Sequence, residues 1–346
     1  MDKLLTVSIA AYNAEKTIGE CLDSFLTSSY LNELELIVVN DGSSDCTADI
    51  VSKYEKKYPG TIRLINKKNG GHGSTLNASL KLAKGKFYKV IDGDDWVNVI
   101  EFDKLCNWLK STDADLVINS FKWCYPNYLY EQHDEIKYNL HHTYEFGEML
   151  AVQKEKTPLF PMTEITISTS VLRSVKMKIK EKCFYADNEF VIFAYLASET
   201  ISFDNSCAYC YRMGQITQSV SNDGLYRHLE DYFSIFEDLC NIYDENSFIL
   251  SDNLKKLYVL KFMENYYNEC YNTIIKRIDR PDKDYLLEKT VKRVQNRHPI
   301  ILNQIRLRSI TNRITSINPT KIIPLMRFCR KTLIFRFLRS LKNVLK

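Results

Sequence analysis

Residues 86 to 102 read KFYKVIDGDDWVNVIEF, and three carboxylates, Asp92, Asp94 and Asp95, crowd around one glycine, Gly93, with Trp96 directly behind them. Carboxylates this close raise one another's pKa unless a cation lies among them. A D-x-D pair suits a hard divalent ion, which takes oxygen ligands and keeps substrate phosphates in its shell. The same residues also read as a turn that caps the next helix, and for an isolated D-x-D that is the better reading. Further polar groups at the ends of apolar runs are Tyr12 and Asp41, the latter in NDGSSD.

Hydrophobic patterning predicts the elements that must position these groups. LLTVSIAA (4–11), LELIVV (34–39), IRLIN (62–66), KFYKVI (86–91) and DLVINSF (115–121) read as strands. Helices are predicted over 15–28, 47–58 and 100–110, and NGGHGSTLNASLKLA (69–83) reads as a glycine-rich turn feeding a helix. Strands alternating with helices imply an α/β fold, a mainly parallel sheet with helices on both faces. Ligands of such sheets bind outside the carboxyl ends of the strands. Tyr12, Asp41 and Asp92 each follow a predicted strand, so the fold gathers them on one rim. Residues 122–182 are aromatic-rich and broken by Pro158 and Pro161, a helix is predicted over 187–197, and strands near 200–204 and 207–212. Beyond Asp223 the pattern turns mostly helical, placing a boundary near residue 220.

The chain has 346 residues, a net charge of +4 and ten cysteines without a disulfide framework. Cys207 and Cys210 form one C-x-x-C, but three residues apart on a strand they face opposite sides, which argues against zinc. No signal peptide and no uncharged apolar run of membrane-spanning length is apparent, so the expected location is cytoplasmic. From Lys289 onward there are 15 Lys and Arg and no acid, leaving 32 basic and 43 acidic residues before it, a net of −11. An acidic body with a basic tail suggests that the tail meets something anionic.

Four stretches, VSIAAYNAEKTIGECLDSFL, ELIVVNDGSSDCTADI, NGGHGSTLNASLKLAKGKFYKVIDGDDWV and CFYADNEFVIFAYL, resemble the successive motifs of family 2 glycosyltransferases over about residues 4–215. The resemblance implies the GT-A fold, with a catalytic domain over 1–220 (nucleotide-sugar side 1–122, acceptor side 123–220) and a helical C-terminal region over 221–346. It implies inverting transfer of one sugar from a nucleotide donor, by default a uridine nucleotide, to a cell-surface glycan precursor on a lipid carrier or a glycoprotein. Carried over by position, Tyr12, Glu15, Asp41, Gly71, Asp92 and Gly93 would bind the nucleotide. Asp94 would ligate Mn2+ or Mg2+ on the diphosphate, and Trp96 and Arg212 would border the acceptor or diphosphate. Asp187 would be the base that inversion needs on the sugar face opposite the leaving group. It matches the second residue of the family's Glu-Asp pair, with Ala186 in place of the Glu. A helix N-cap is the other reading of Asp187, and Glu189 is the alternative base. Asp95 reads as a helix cap rather than a ligand. Leu76 stands where many relatives carry an Arg that positions the nucleotide. Arg212 is either a cationic partner of the diphosphate or a surface ion pair.

Two other functional classes remain: a catalytically inactive nucleotide-sugar-binding protein, and a nucleic-acid binder acting through the tail. The acidic body and the lack of a nucleic-acid motif argue against the latter. From Leu325 to Lys346, apolar residues recur at helical spacing beside a Lys/Arg face. That suits an interfacial helix on an anionic membrane over 320–346, or a helix packed on the body or on a second subunit.

Overall fold

The computed structural model describes residues 2–126, 130–132, 138–152, 159–214, 219, 221–246, 250, 253–270 and 274–316. The basic stripe over 320–346 lies outside the described residues. The chain divides into two compact units, residues 1–298 and 299–346.

The first unit is built on one mixed sheet. Strands β1 (Leu5–Ala11) and β2 (Leu34–Asn40) are buried almost throughout, as central strands covered on both faces are. β3 (Ile62–Asn66) and β4 (Phe87–Asp92) complete a parallel set in the order β3-β2-β1-β4. The register puts Ala11 opposite Asn40 and Ala10 opposite Asp92, so the residues after β1 and β2 and the end of β4 stand level on one rim. Leu5, Val7 and Ile9 pack with Ile18, Cys21, Leu22 and Phe25 of α1 (Ile18–Leu26), with Val51 of α2 (Thr47–Lys57), and with α4 (Val99–Ser111). On the opposite face Ser8 Oγ meets Ser79 Oγ of α3 (His72–Leu82) at 2.7 Å. Helices therefore cover both faces, as the alternating pattern predicts.

The other half of the sheet departs from a simple parallel series. After β5 (Trp96–Val97) and α4 come β6 (Leu116–Cys124), β7 (Tyr130–Gln132), β8 (Thr143–Glu145), α5 (Phe146–Val152), β9 (Ile165–Ser168) and α6 (Thr169–Ser174). β9 inserts between β4 and β6, antiparallel to both. At this seam the fully buried Lys89 donates to Asn119 Oδ1 (3.1 Å) and to the carbonyls of Thr163 (2.9 Å) and Ile165 (3.3 Å). Burial pulls its ammonium down to about 7.

After α7 (Asp187–Ala197), the two strands expected near 200–204 and 207–212 are one strand, β10 (Thr200–Arg212). Register shifts between Phe203 and Tyr209 break its alternation, which is why the sequence reads as two pieces. β10 runs parallel to β6 and antiparallel to β5, with Cys210 opposite Trp96. Helices follow: α8 (Asn222–Arg227), α9 (Leu229–Asn246), α10 (Asn253–Glu269), α11 (Ile275–Arg277) and α12 (Lys283–Arg297). α9 packs on α7, α10 and α12. The second unit contains α13 (Pro299–Ser316). No helix among the described residues is long and apolar enough to cross a membrane.

Candidate active site

At the rim, the turn after β1 is laced to the turn after β2. Asn13 N–H donates to Ser43 Oγ (2.9 Å), Ala14 N–H to Thr47 Oγ1 (2.8 Å), and Glu15 Oε2 accepts from Cys46 N–H (3.1 Å). Glu15 thus holds the two turns together, and Tyr12 beside it is 57% exposed. Asp41, 3% exposed, accepts from Lys67 Nζ (2.7 Å), the N–H groups of Gly70 (2.9 Å) and Gly71 (2.7 Å), and Ser74 Oγ (3.2 Å). Its charge is used to shape the glycine-rich loop ahead of α3. Leu76 is fully buried, so its position offers no open place at the rim, where the cation is instead Lys67.

The D-x-D turn is closely packed. Gly93 N–H donates to Ala10 O (2.8 Å), and a Cβ on Gly93 would meet that same oxygen at 2.8 Å, so only glycine fits here. Thr17 Oγ1 donates to Gly93 O (3.0 Å). Asp92 Oδ1 lies 3.1 Å from His72 Nε2. Burial lowers the His72 pKa, but the bond and charge of Asp92, with Asp187 and Asp41 beyond, outweigh it and leave it raised. Burial and the charge of Asp92 push Asp94 up to about 6, with Arg212 and His72 acting against them. Among the described residues that carboxylate accepts no side-chain hydrogen bond, and only its own backbone N–H donates to it.

Asp95 is not the helix cap expected of it. Asn98 caps α4, its Oδ1 accepting from Glu101 N–H (3.2 Å). Asp95, 3% exposed, accepts instead from Tyr209 Oη (2.6 Å) and Arg212 N–H (2.7 Å), which anchors β10 to the D-x-D turn. Arg212 is held there: Nε donates to Asp94 O (2.6 Å), Nη2 pairs with Glu20 (2.6 Å), and the guanidinium lies 4.5 Å from the Trp96 ring. The ion pair with a carboxylate, one of its two expected roles, is present.

Asp187 is the first residue of α7, and Ala186 occupies the cap position, so Asp187 does not cap the helix. Burial raises its pKa, with His72 opposing and Asp92 adding. His72, Asp92 and Asp187 are thus electrostatic neighbours although 115 residues separate the extremes. Glu189, the alternative base, is directed elsewhere. Its Oε2 accepts from Lys180 N–H (2.7 Å), and the residue lines a cleft of about 560 Å3 with Lys178, Lys180, Asp238 and Asn241. Burial raises Glu189 to about 7.

The segment leading to α7 is strapped onto the glycine-rich loop. Asn77 Nδ2 donates to Ile179 O (2.7 Å) while its Oδ1 accepts from Ile179 N–H (2.9 Å), and Lys182 N–H donates to Gly70 O (2.5 Å). A Cβ on Gly73 would stand 2.2 Å from Lys180 O. Asp187 is therefore positioned by the same loop that Asp41 shapes. The sequence reading missed Lys67, Asn77 and Tyr209. Lys67 does follow a strand, so the rule that selected Asp41 could have found it. The other two partner backbone or side chains about 100 residues away.

No cluster of three or more His, Cys, Asp or Glu among the described residues could hold a metal by itself. Asp94 instead offers a hard oxygen to an ion whose remaining ligands would be waters and phosphates. The donor set fits Mg2+ or Mn2+ shared with a diphosphate.

This fold, with polar groups gathered at the carboxyl rim of its parallel strands, is that of a GT-A enzyme. The glycosyl transferase family 2 model matches residues 6–178, half of the chain, and the chain belongs to that family. Among curated relatives it is 36% identical over 117 residues to the uncharacterized glycosyltransferase EpsJ of Bacillus subtilis, which covers 34% of this chain and 33% of that one. It is 33% identical over 122 residues to a poly(ribitol-phosphate) beta-glucosyltransferase of Bacillus spizizenii, covering 34% of this chain and 19% of that one. The matches thus span a third or less of these relatives' length. Among solved structures, Staphylococcus aureus TarS 1–349 in complex with UDP-GlcNAc superposes with a TM-score of 0.63, at 19% identity and 89% coverage of each chain. That likeness is one of fold, and at 89% coverage it reaches into the helical C-terminal region.

Proposed function

We propose that this glycosyltransferase moves a single sugar from a UDP-linked donor, with inversion, onto a hydroxyl of a cell-surface glycan precursor. The observation that carries the reading is the convergence of Asp92, Asp94 and Asp187 about His72, with Asp94 supplied by almost no donors. TarS has been solved with UDP and with UDP-GlcNAc, which supports a uridine nucleotide. Tyr12 would stack on the base. Asp41, Gly71 and Gly93 would shape the nucleotide cradle, Glu15 would brace it, and Asp92 would meet the ribose. Asp94 would hold Mn2+ or Mg2+ against the diphosphate, where the ion neutralises the charge that develops on the leaving group. Asp187 would take the proton of the acceptor hydroxyl as its oxygen bonds the anomeric carbon, and the bond to the diphosphate breaks with its electron pair leaving on the nucleotide. Trp96, with Arg212 against its ring, would wall the acceptor side. Residues 1–220 would carry the transfer, and the basic stretch over 320–346 would seat the enzyme on anionic lipid or on a second subunit.

The test is a screen of nucleotide sugars with and without manganese, reading nucleotide release. Release from a UDP-sugar that chelation abolishes and manganese restores is expected. Full activity in excess chelator contradicts the metal assignment. Donor binding without any release over a broad acceptor panel makes the protein a nucleotide-sugar sensor instead.

A further inference from the structure

The segment entering α7 presents an aromatic ring that the transfer chemistry does not use. Phe184 is 43% exposed, although Cys183 and Ala186 around it are buried. Between them, Tyr185 has φ 63, the left-handed region that a residue with a Cβ adopts at a cost. Its hydroxyl donates to Ser219 O (2.8 Å), which holds that turn. Strain of this kind concentrates at working parts of a fold. The exposed ring is fixed: Phe184 N–H donates to an Asp231 carboxylate oxygen (3.3 Å), and the ring stacks on His228, with centroids 3.5 Å apart and planes at 17°. With one face covered by imidazole, the exposed area belongs to the other face and the edge. Tyr226, 44% exposed, lies two residues before His228.

This patch adjoins the candidate base. The Phe184 ring is 6.3 Å from that of Tyr185, which is 4.9 Å from that of Tyr232. Burial raises the hydroxyl pKa of both tyrosines, and the charge of Asp187 adds to it. An open ring three residues before the candidate base suits a partner that offers an apolar face and a hydroxyl together, as the C–H face of a pyranose does. A polyol phosphate would ask for cations: two arginines flanking the patch are already paired, Arg227 with Asp223 (2.7 Å) and Arg280 with Asp282 (2.7 Å). That leaves the exposed Lys182, two residues before Phe184, and makes the comparison of the two acceptor classes the deciding test.

We propose that Phe184, backed by His228, is the platform on which a pyranose ring of the acceptor lies, so that the acceptor is a sugar-terminated glycan rather than an acyclic polyol phosphate. This rests on the transferase reading above. The experiment is ligand-observed NMR on the full chain with UDP and Mg2+, using methyl β-pyranosides of glucose, galactose and N-acetylglucosamine against ribitol 5-phosphate. At least one pyranoside binds the wild type, Phe184→Ala weakens it about tenfold, the scale of one aromatic contact, and Phe184→Trp retains it. His228→Ala has a smaller effect, and UDP affinity is the same in all variants, which also reports folding. Pyranoside binding indifferent to Phe184→Ala, or ribitol 5-phosphate binding while no pyranoside does, overturns the platform. Absence of UDP binding by the wild type strikes the transferase reading itself.

Discussion

Asp41 and Asp94 stand on the same rim, one after each of the two strands that flank β1, and their surroundings are opposite. Asp41 receives an ammonium, two backbone N–H groups and a hydroxyl. Asp94 is half-buried beside Asp92, the charges of Arg212 and His72 offset the repulsion only in part, and its pKa rises to about 6. A carboxylate saturated by its own protein holds a shape, whereas one left short of donors holds charge for something the protein does not supply. Asp187, pushed up by burial and served only by backbone N–H groups and a 3.4 Å bond from Asn188 Nδ2, is closer to Asp94. Asp95 is a third case: burial and its two acidic neighbours raise it well above the usual range, and Tyr209 and Arg212 hold it in place.

The largest test falls on the under-supplied side. Asp187→Asn should lower turnover by about 10²–10⁴-fold, the usual worth of a general base, with donor affinity nearly unchanged. A comparable loss in Glu189→Gln but not in Asp187→Asn would move the base to the other cleft. Next is the reach of the saturated side. Gly73→Ala drives a methyl into Lys180 O and displaces the strap, so turnover should fall about 10²-fold, as misplacements near 1 Å do. Unchanged turnover would show that loop and base are uncoupled. Third, Asp41→Asn should cost about 2 kcal/mol of stability through lost charge-assisted bonds, while Asp94→Asn should be neutral or stabilising because it relieves repulsion. Urea midpoints compare the two, and equal losses would erase the contrast. The smallest effect is one of pH. A carboxyl raised to about 6 binds its proton in the folded state between the ordinary carboxylate range and pH 6, so a proton competes there with a cation. The gain that Mn2+ gives to UDP affinity should fade below pH 6 by about tenfold per pH unit, and a flat profile would remove Asp94 from the metal.

The parallel half of the fold was legible because its strands are local, largely apolar runs closed by turns, and strand ends alone place Tyr12, Asp41 and Asp92 on one rim. The other half was not. β9 is four residues long, and its place between β4 and β6 is decided by pairings to distant strands and by the buried Lys89. β10 reads as two strands because its register shifts interrupt the alternation. Within the site, the D-x-D spacing marked Asp94 as a candidate and the family resemblance marked Asp187. Only three dimensions show that Asp95 faces Tyr209, that Glu189 turns to a different cleft, and that Asp41 is already occupied.

The most direct measurement of this division is UDP titration by calorimetry on the wild type, Asp41→Asn and Asp94→Asn, each with and without Mn2+. The wild type should bind UDP more tightly with the ion. Asp94→Asn should lose that gain and keep the ion-free affinity, whereas Asp41→Asn should weaken binding equally in both conditions. An undiminished Mn2+ gain in Asp94→Asn, or its selective loss in Asp41→Asn, would contradict the assignment of the metal to the under-supplied carboxylate.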